Sequence, residues 1–144
     1  MPTATISFDL DDPPERVFDY IADVRNEQRW QKDMLRAEKT SDGPLGDGTT
    51  FDTEYRGFGR MTLTLREYRR PEHVVIDGDG PRVRMHFVMD VVARDGGGSH
   101  VTFFIDMRPR GPFTLVTPLL ALGMPREMAK RPAQFRAALA ADSP

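Results

Sequence analysis

The chain has no cysteine, which excludes disulfides, thiolate metal sites and cysteine nucleophiles. Its three histidines, His73, His86 and His100, lie in separate segments without metal-ligand spacing, so no metal and no cofactor is expected. Neither sign of charge dominates: 20 basic residues stand against 22 acidic ones, a formal net charge of -2. That balance argues against a general nucleic-acid binder. No apolar run reaches the roughly 18 residues of a membrane span. The N-terminus lacks the basic start and apolar core of a signal peptide, and the expected location is the cytoplasm. There is no Gly-x-Ser-x-Gly, phosphate loop or dinucleotide fingerprint. Asp77-Gly78-Asp79-Gly80 opens like a calcium loop, but Val88 stands where the bidentate glutamate belongs.

What remains is a chain of 144 residues, read as one domain over 1–144, long enough to bury about 68–70% of its unfolded surface. Thr3 to Leu10 alternates apolar and polar residues, the mark of a half-buried strand. Asp12-Pro13-Pro14-Glu15 reads as a capping box with proline in the first turn. The helix that follows turns Val17, Phe18 and Ile21 inward and stops near Asp23. Asp23 then caps a second short helix, Val24 to Trp30. Strands are expected at Met34 to Thr40, Thr49 to Tyr55, Arg60 to Tyr68 and His73 to Ile76. Two more run from Val83 to Val91 and from Val101 to Met107. The turns between them are rich in glycine, proline and aspartate.

Pro112 to Ala141 reads as helix. Phe113, Val116, Leu120, Met124, Met128, Phe135 and Leu139 fall at spacings of three, four or seven and form one stripe. Leu115, Leu119 and Leu122 widen it in the first half. A stripe this long needs an apolar surface, and the sheet is the one available. Pro118, Pro125 and Pro132 interrupt the helix. An interior proline removes a hydrogen bond and costs about 3 kcal/mol unless the helix bends. Gly123 before Pro125 predicts that one helix ends there and another begins, with a kink at Pro132. The basic residues after Pro109, including Arg126, Lys130, Arg131 and Arg136, read as the solvent side. Asp142 to Pro144 reads as a loose tail.

Strand, two short helices, six strands and a long C-terminal helix is an order with a precedent. With Pro13-Pro14-Glu15-Arg16-Val17-Phe18-Asp19-Tyr20-Ile21-Ala22-Asp23, Asn26, Trp30 and Asp33-Met34, the chain resembles the START-like or Bet v 1-like helix-grip superfamily, also called SRPBCC. Ser41-Asp42-Gly43-Pro44, Gly46, Gly48-Thr49, Glu67-Tyr68 and Pro109-Arg110-Gly111-Pro112 extend the resemblance along the chain, and the branch it resembles most is the polyketide cyclase/dehydrase type. The resemblance implies an α+β helix-grip fold: a curved antiparallel sheet of about seven strands around a long C-terminal helix, straight in the family and here expected to be proline-bent. It also implies a deep apolar cavity between them. Members bind lipids, sterols, hormones or polyketides, and some cyclise or dehydrate polyketides.

The inward face of the sheet carries Phe51, Tyr55, Met61, Leu63, Met85, Phe87, Met89, Phe103, Ile105 and Met107. The helix adds Leu115, Leu119, Leu122 and Met128. These side chains are either the lining of a ligand cavity, where methionine adapts to varied shapes, or an ordinary packed core. Tyr55 is the one polar candidate there: its hydroxyl can orient a ligand or donate a proton, or sit at the rim of the core. Trp30 is either a wall of the cavity mouth or an anchor for its helix. By parity Arg84, His86, Asp90 and Asp106 face outward. Three functions follow: binding of an apolar or aromatic small molecule, polyketide cyclase, aromatase or dehydratase chemistry in the same cavity with Tyr55, or a protein-interaction module using Val88 and Phe104 on the outer face. The scarcity of acid–base groups favours binding, by a monomer or weak homodimer.

Overall fold

In the computed structural model, which describes residues 2–142, the alternating segments become seven strands of one antiparallel sheet. They are β1 (Thr3–Leu10), β2 (Met34–Lys39), β3 (Thr50–Tyr55), β4 (Gly59–Arg69), β5 (His73–Asp79), β6 (Val83–Ala93) and β7 (Ser99–Pro109). Their order across the sheet is β1-β7-β6-β5-β4-β3-β2, so β1 and β2 are the two edges. The chain passes from one edge to the other through helix α1 (Pro14–Ala22) and a 3-10 helix (Val24–Arg29). The curved sheet with helices gathered at its C-terminal side is the helix-grip α+β architecture that the sequence leads one to expect.

Register decides which residues meet. Met85 faces Met107, Phe87 faces Ile105 and Met89 faces Phe103 across β6 and β7, so the apolar side chains stand in adjacent rows on one face. His86 faces Asp106 and Val88 faces Phe104 on the other. His86 is exposed and holds Asp77 at 2.6 Å, which confirms the parity assignment. Strand β5 runs three residues beyond the expected end, through Asp79. Gly78 makes this possible: a Cβ there would lie 2.6 Å from Met61 Sδ and 2.8 Å from Leu63 Cδ2.

At the start of α1 the expected capping box does not form. Pro13 is the N-cap, without a side-chain hydrogen bond, because Asp12 instead pairs with Arg16 one turn on. The Asp23 cap does form, its carboxylate accepting from the Arg25 backbone N–H at 3.1 Å.

The C-terminal segment departs further from expectation. Gly111–Val116 is a 3-10 helix, α2 spans Thr117–Ala129, and α3 spans Arg131–Asp142. The break falls at Lys130, not at Gly123. Pro125 lies inside α2, whereas Pro118 and Pro132 sit in first turns, where no backbone N–H is needed. The narrow stripe is correct where it meets the sheet: Met124, Met128, Phe135 and Leu139 are buried. The widening is not, since Leu115, Leu119 and Leu122 are 84%, 70% and 76% exposed. The expected tail lies outside the described residues beyond Asp142, which itself ends α3.

Phe135 ties α3 to the sheet. Its ring stacks on Phe8 at 5.8 Å, meets Phe103 at 5.0 Å and touches Trp30 at 4.5 Å. Full burial of such a side chain is worth about 1.5–3 kcal/mol, and aromatic contacts add to it. Arg16 reaches across from α1 to donate to the Leu139 carbonyl at 2.7 Å.

Candidate functional site

Burial changes sharply along the inward rows. On β6, Met89 and Val91 are buried, while Met85 and Phe87 are half-buried. On β7, Val101 and Phe103 are buried, while Ile105 and Met107 are half-buried. Helix α1 packs against β6 and fills one end of the sheet. Val83 is again fully buried at the other. Between these ends α2 reaches the sheet at β1, but the half-buried side chains of β6 and β7 are left partly uncovered. They border a hollow of about 290 Å³, near the lower end of the roughly 300–1,000 Å³ usual for small-molecule sites.

Of the residues expected to face a ligand, Leu63, Met85, Phe87, Phe103 and Ile105 border this hollow from the sheet. Leu119 and Met128 border it from α2, and Trp30 and Tyr55 from its polar side. Leu119 is also 70% exposed, so it marks where the hollow opens to solvent. Phe51, Met61 and Met89 point inward but do not border the hollow; they are closed into the core. Leu122 points away from it, because only one side of α2 overlies the sheet, and Leu115 is exposed on the 3-10 helix before α2. Trp30 is both wall and anchor, since it borders the hollow and packs on Phe135.

Sequence reasoning missed the chemistry of one wall. Val24, Glu27 and Trp30 all border the hollow. They follow one another at intervals of three along a 3-10 helix and its C-cap, Trp30, where side chains three apart eclipse on one face. Glu27 is thereby brought to Tyr55, whose hydroxyl donates to its carboxylate at 2.5 Å. Burial raises the Glu27 carboxyl to about 7, against the smaller opposing influences of Tyr55 and Arg131. Burial, and then the neighbouring Glu27 charge, push the Tyr55 phenol well above its ordinary 10.

Arg131 completes the wall. It was expected on the solvent side, but it is half-buried and borders the hollow. Its guanidinium lies 5.5 Å from the centre of the Trp30 ring and donates to Gln134 Oε1 at 2.7 Å. Burial lowers its pKa, only partly offset by Glu27 and Glu127. The hollow thus has an apolar sheet side and a short polar edge of acid, phenol and guanidinium. On the outer face, Val88 and Phe104 are half-buried cross-strand neighbours, with Phe104 against the His86 ring at 6.5 Å. No helix among the described residues is long and apolar enough to cross a membrane.

The family model described as polyketide cyclase / dehydrase and lipid transport matches residues 1–140. No curated protein matches. Among solved structures, the fold is similar to a START superfamily protein from Mycobacterium smegmatis, with a TM-score of 0.78, 7% identity, and 98% and 99% of the two chains covered. A hypothetical protein from Helicobacter pylori is similar at TM-score 0.73 and 14% identity, covering 99% of this chain and 88% of that one. A Mesorhizobium loti protein is similar at 0.71 and 10%, over 99% of each chain. At such identities the likeness is one of fold.

Proposed function

The chain belongs to the polyketide cyclase / dehydrase and lipid transport family, and from that premise we propose that it binds an apolar or aromatic small molecule, lipid-like or polyketide-like, between the sheet and α2. Residues 1–144 would act as one binding domain, built around a single contiguous core cluster. The observation that carries this reading is the half-burial of Met85, Phe87, Ile105 and Met107 around the hollow. Four large apolar side chains left partly uncovered inside a fold forgo contact that a ligand would restore. Native mass spectrometry of freshly purified protein tests it. A non-covalent apolar adduct that is lost on denaturation is expected. Bare protein alone, even after incubation with a lipid extract, would overturn it.

A second reading is favoured by one observation, the Tyr55–Glu27 hydrogen bond at the polar edge. In that reading a polyketide-like substrate is folded against the apolar wall and Tyr55 orients or protonates it. Turnover of such a substrate unaltered in Tyr55→Phe would remove that role.

A further inference from the structure

Arg131 is a buried-side cation without a matching anion. Among the described residues no carboxylate lies within ion-pair distance of it, although every other charged group on the hollow's rim has a partner: Glu127 holds Lys130 at 3.1 Å and Asp33 holds Arg56 at 3.6 Å. Glu27 is near enough to influence Arg131 but is turned to the Tyr55 hydroxyl. Taking a guanidinium out of water is costly unless an opposite charge meets it. One N–H goes to Gln134 and the Trp30 ring holds the guanidinium's plane. A guanidinium carries five N–H donors in a fork that fits a carboxylate.

We propose that the ligand of this hollow is an apolar chain or ring ending in one carboxylate, received by Arg131, with the Tyr55–Glu27 pair as hydrogen-bonding neighbour. The proposal rests on the binding reading above and adds the chemistry of the ligand's end. The apolar body lies along Met85, Phe87, Ile105 and Met107, and the carboxylate takes the place of the missing counter-ion. Glu27 fits this arrangement in its protonated form, because two ionised carboxyls do not share a small site. Its acid O–H is then a donor to the ligand's carboxylate, while the Tyr55 hydroxyl keeps its bond to the other Glu27 oxygen.

A consequence is proton uptake. The charged and titratable groups around the site are Glu27 and Asp33 from the 3-10 helix and the turn after it, Tyr55 and Arg56 from β3 and its end, Glu127 from α2 and Arg131 from α3. The lining from α1, β4, β5, β6 and β7 carries no charge. Glu27 is the carboxyl that meets the Tyr55 hydroxyl at the polar edge, and it is the group that changes state. Its carboxyl titrates near 7, and a bound carboxylate must raise it further. Carboxylate binding therefore weakens as pH rises above neutral, by up to about tenfold per pH unit.

The test is calorimetric titration with decanoate and with decan-1-ol, at about pH 6 and about pH 8. The wild-type protein should bind decanoate at least about tenfold more tightly than decan-1-ol at the lower pH. R131Q should erase that preference, bringing the two affinities within about twofold of each other. E27Q should retain decanoate binding at the higher pH, where the wild type loses it. Equal affinity of the wild type for the two probes overturns the proposal without any variant, so a poorly folding R131Q does not shelter it. A preference that persists in R131Q also overturns it. Decan-1-ol binding without a decanoate preference leaves the apolar hollow as a binding site. Failure of both probes to bind overturns that reading as well.

Discussion

Replacing Glu27 by glutamine should change how stability depends on pH more than any other single substitution at the site. The carboxyl is raised from its ordinary 4.5 to about 7 by burial. In the unfolded chain it ionises first, while the folded protein still holds the proton. The folded state therefore binds more protons between these values, and stability falls as pH rises through that window. Each pH unit removes up to about 1.4 kcal/mol, so the loss accumulates to roughly 3 kcal/mol by neutral pH. Below the lower value both states are protonated and the full stability is present; above the upper value no more is lost. Glutamine does not ionise, and its carbonyl can still accept from the Tyr55 hydroxyl. Urea denaturation should find the two proteins within about 1 kcal/mol of each other at pH ~4.5. At pH ~8 E27Q should be more stable by about 2–3 kcal/mol, or roughly 10 °C in Tm. The other carboxyls are common to both proteins, so the difference isolates Glu27. Parallel pH profiles for the two would refute the claim that this carboxyl is held out of water.

Five further substitutions separate closely packed from open positions. Phe135→Ala removes the ring that joins Phe8, Phe103 and Trp30 and should cost about 3–5 kcal/mol, whereas Met107→Ala, at the half-buried edge of the hollow, should cost only about 1 kcal/mol, both by chemical denaturation. Leu115→Ser and Leu122→Ser should each shift stability by less than about 0.5 kcal/mol, since both side chains lie mostly in solvent. Gly98→Ala places a Cβ 2.6 Å from the Leu10 carbonyl oxygen at a φ of +88° and should cost about 2 kcal/mol or more, seen as a fall in Tm of several degrees.

Much of the fold is legible in the sequence because strands carry their own ruler. A period of two from Val83 to Val91 and from Val101 to Met107 assigns every side chain to a face, and the observed register agrees. The C-terminal helices were harder, because a proline's effect depends on where the turn begins. Pro125 is carried within α2, while Pro118 and Pro132 mark starts. The stripe's width was not legible either: Leu115, Leu119 and Leu122 have helical spacing, but nothing in their spacing tells whether a surface lies opposite. The polar edge was the least visible. Glu27 and Arg131 look like solvent-facing charges in helical segments. Val24, Glu27 and Trp30 share a face only because their helix turns every three residues, which composition does not reveal.

The central claim is that sheet and α2 leave a space that an apolar molecule fills. Trp30, the sole tryptophan, borders that space and reports on it. Titration with decan-1-ol, followed by Trp30 emission, compares the wild type with a double variant, Ile105→Phe with Met107→Phe, that fills the space from the sheet side. Saturable binding in the wild type, weakened at least about tenfold in a variant that still unfolds cooperatively, is the predicted result. No saturable change in the wild type, or equal affinity in both proteins, would contradict it.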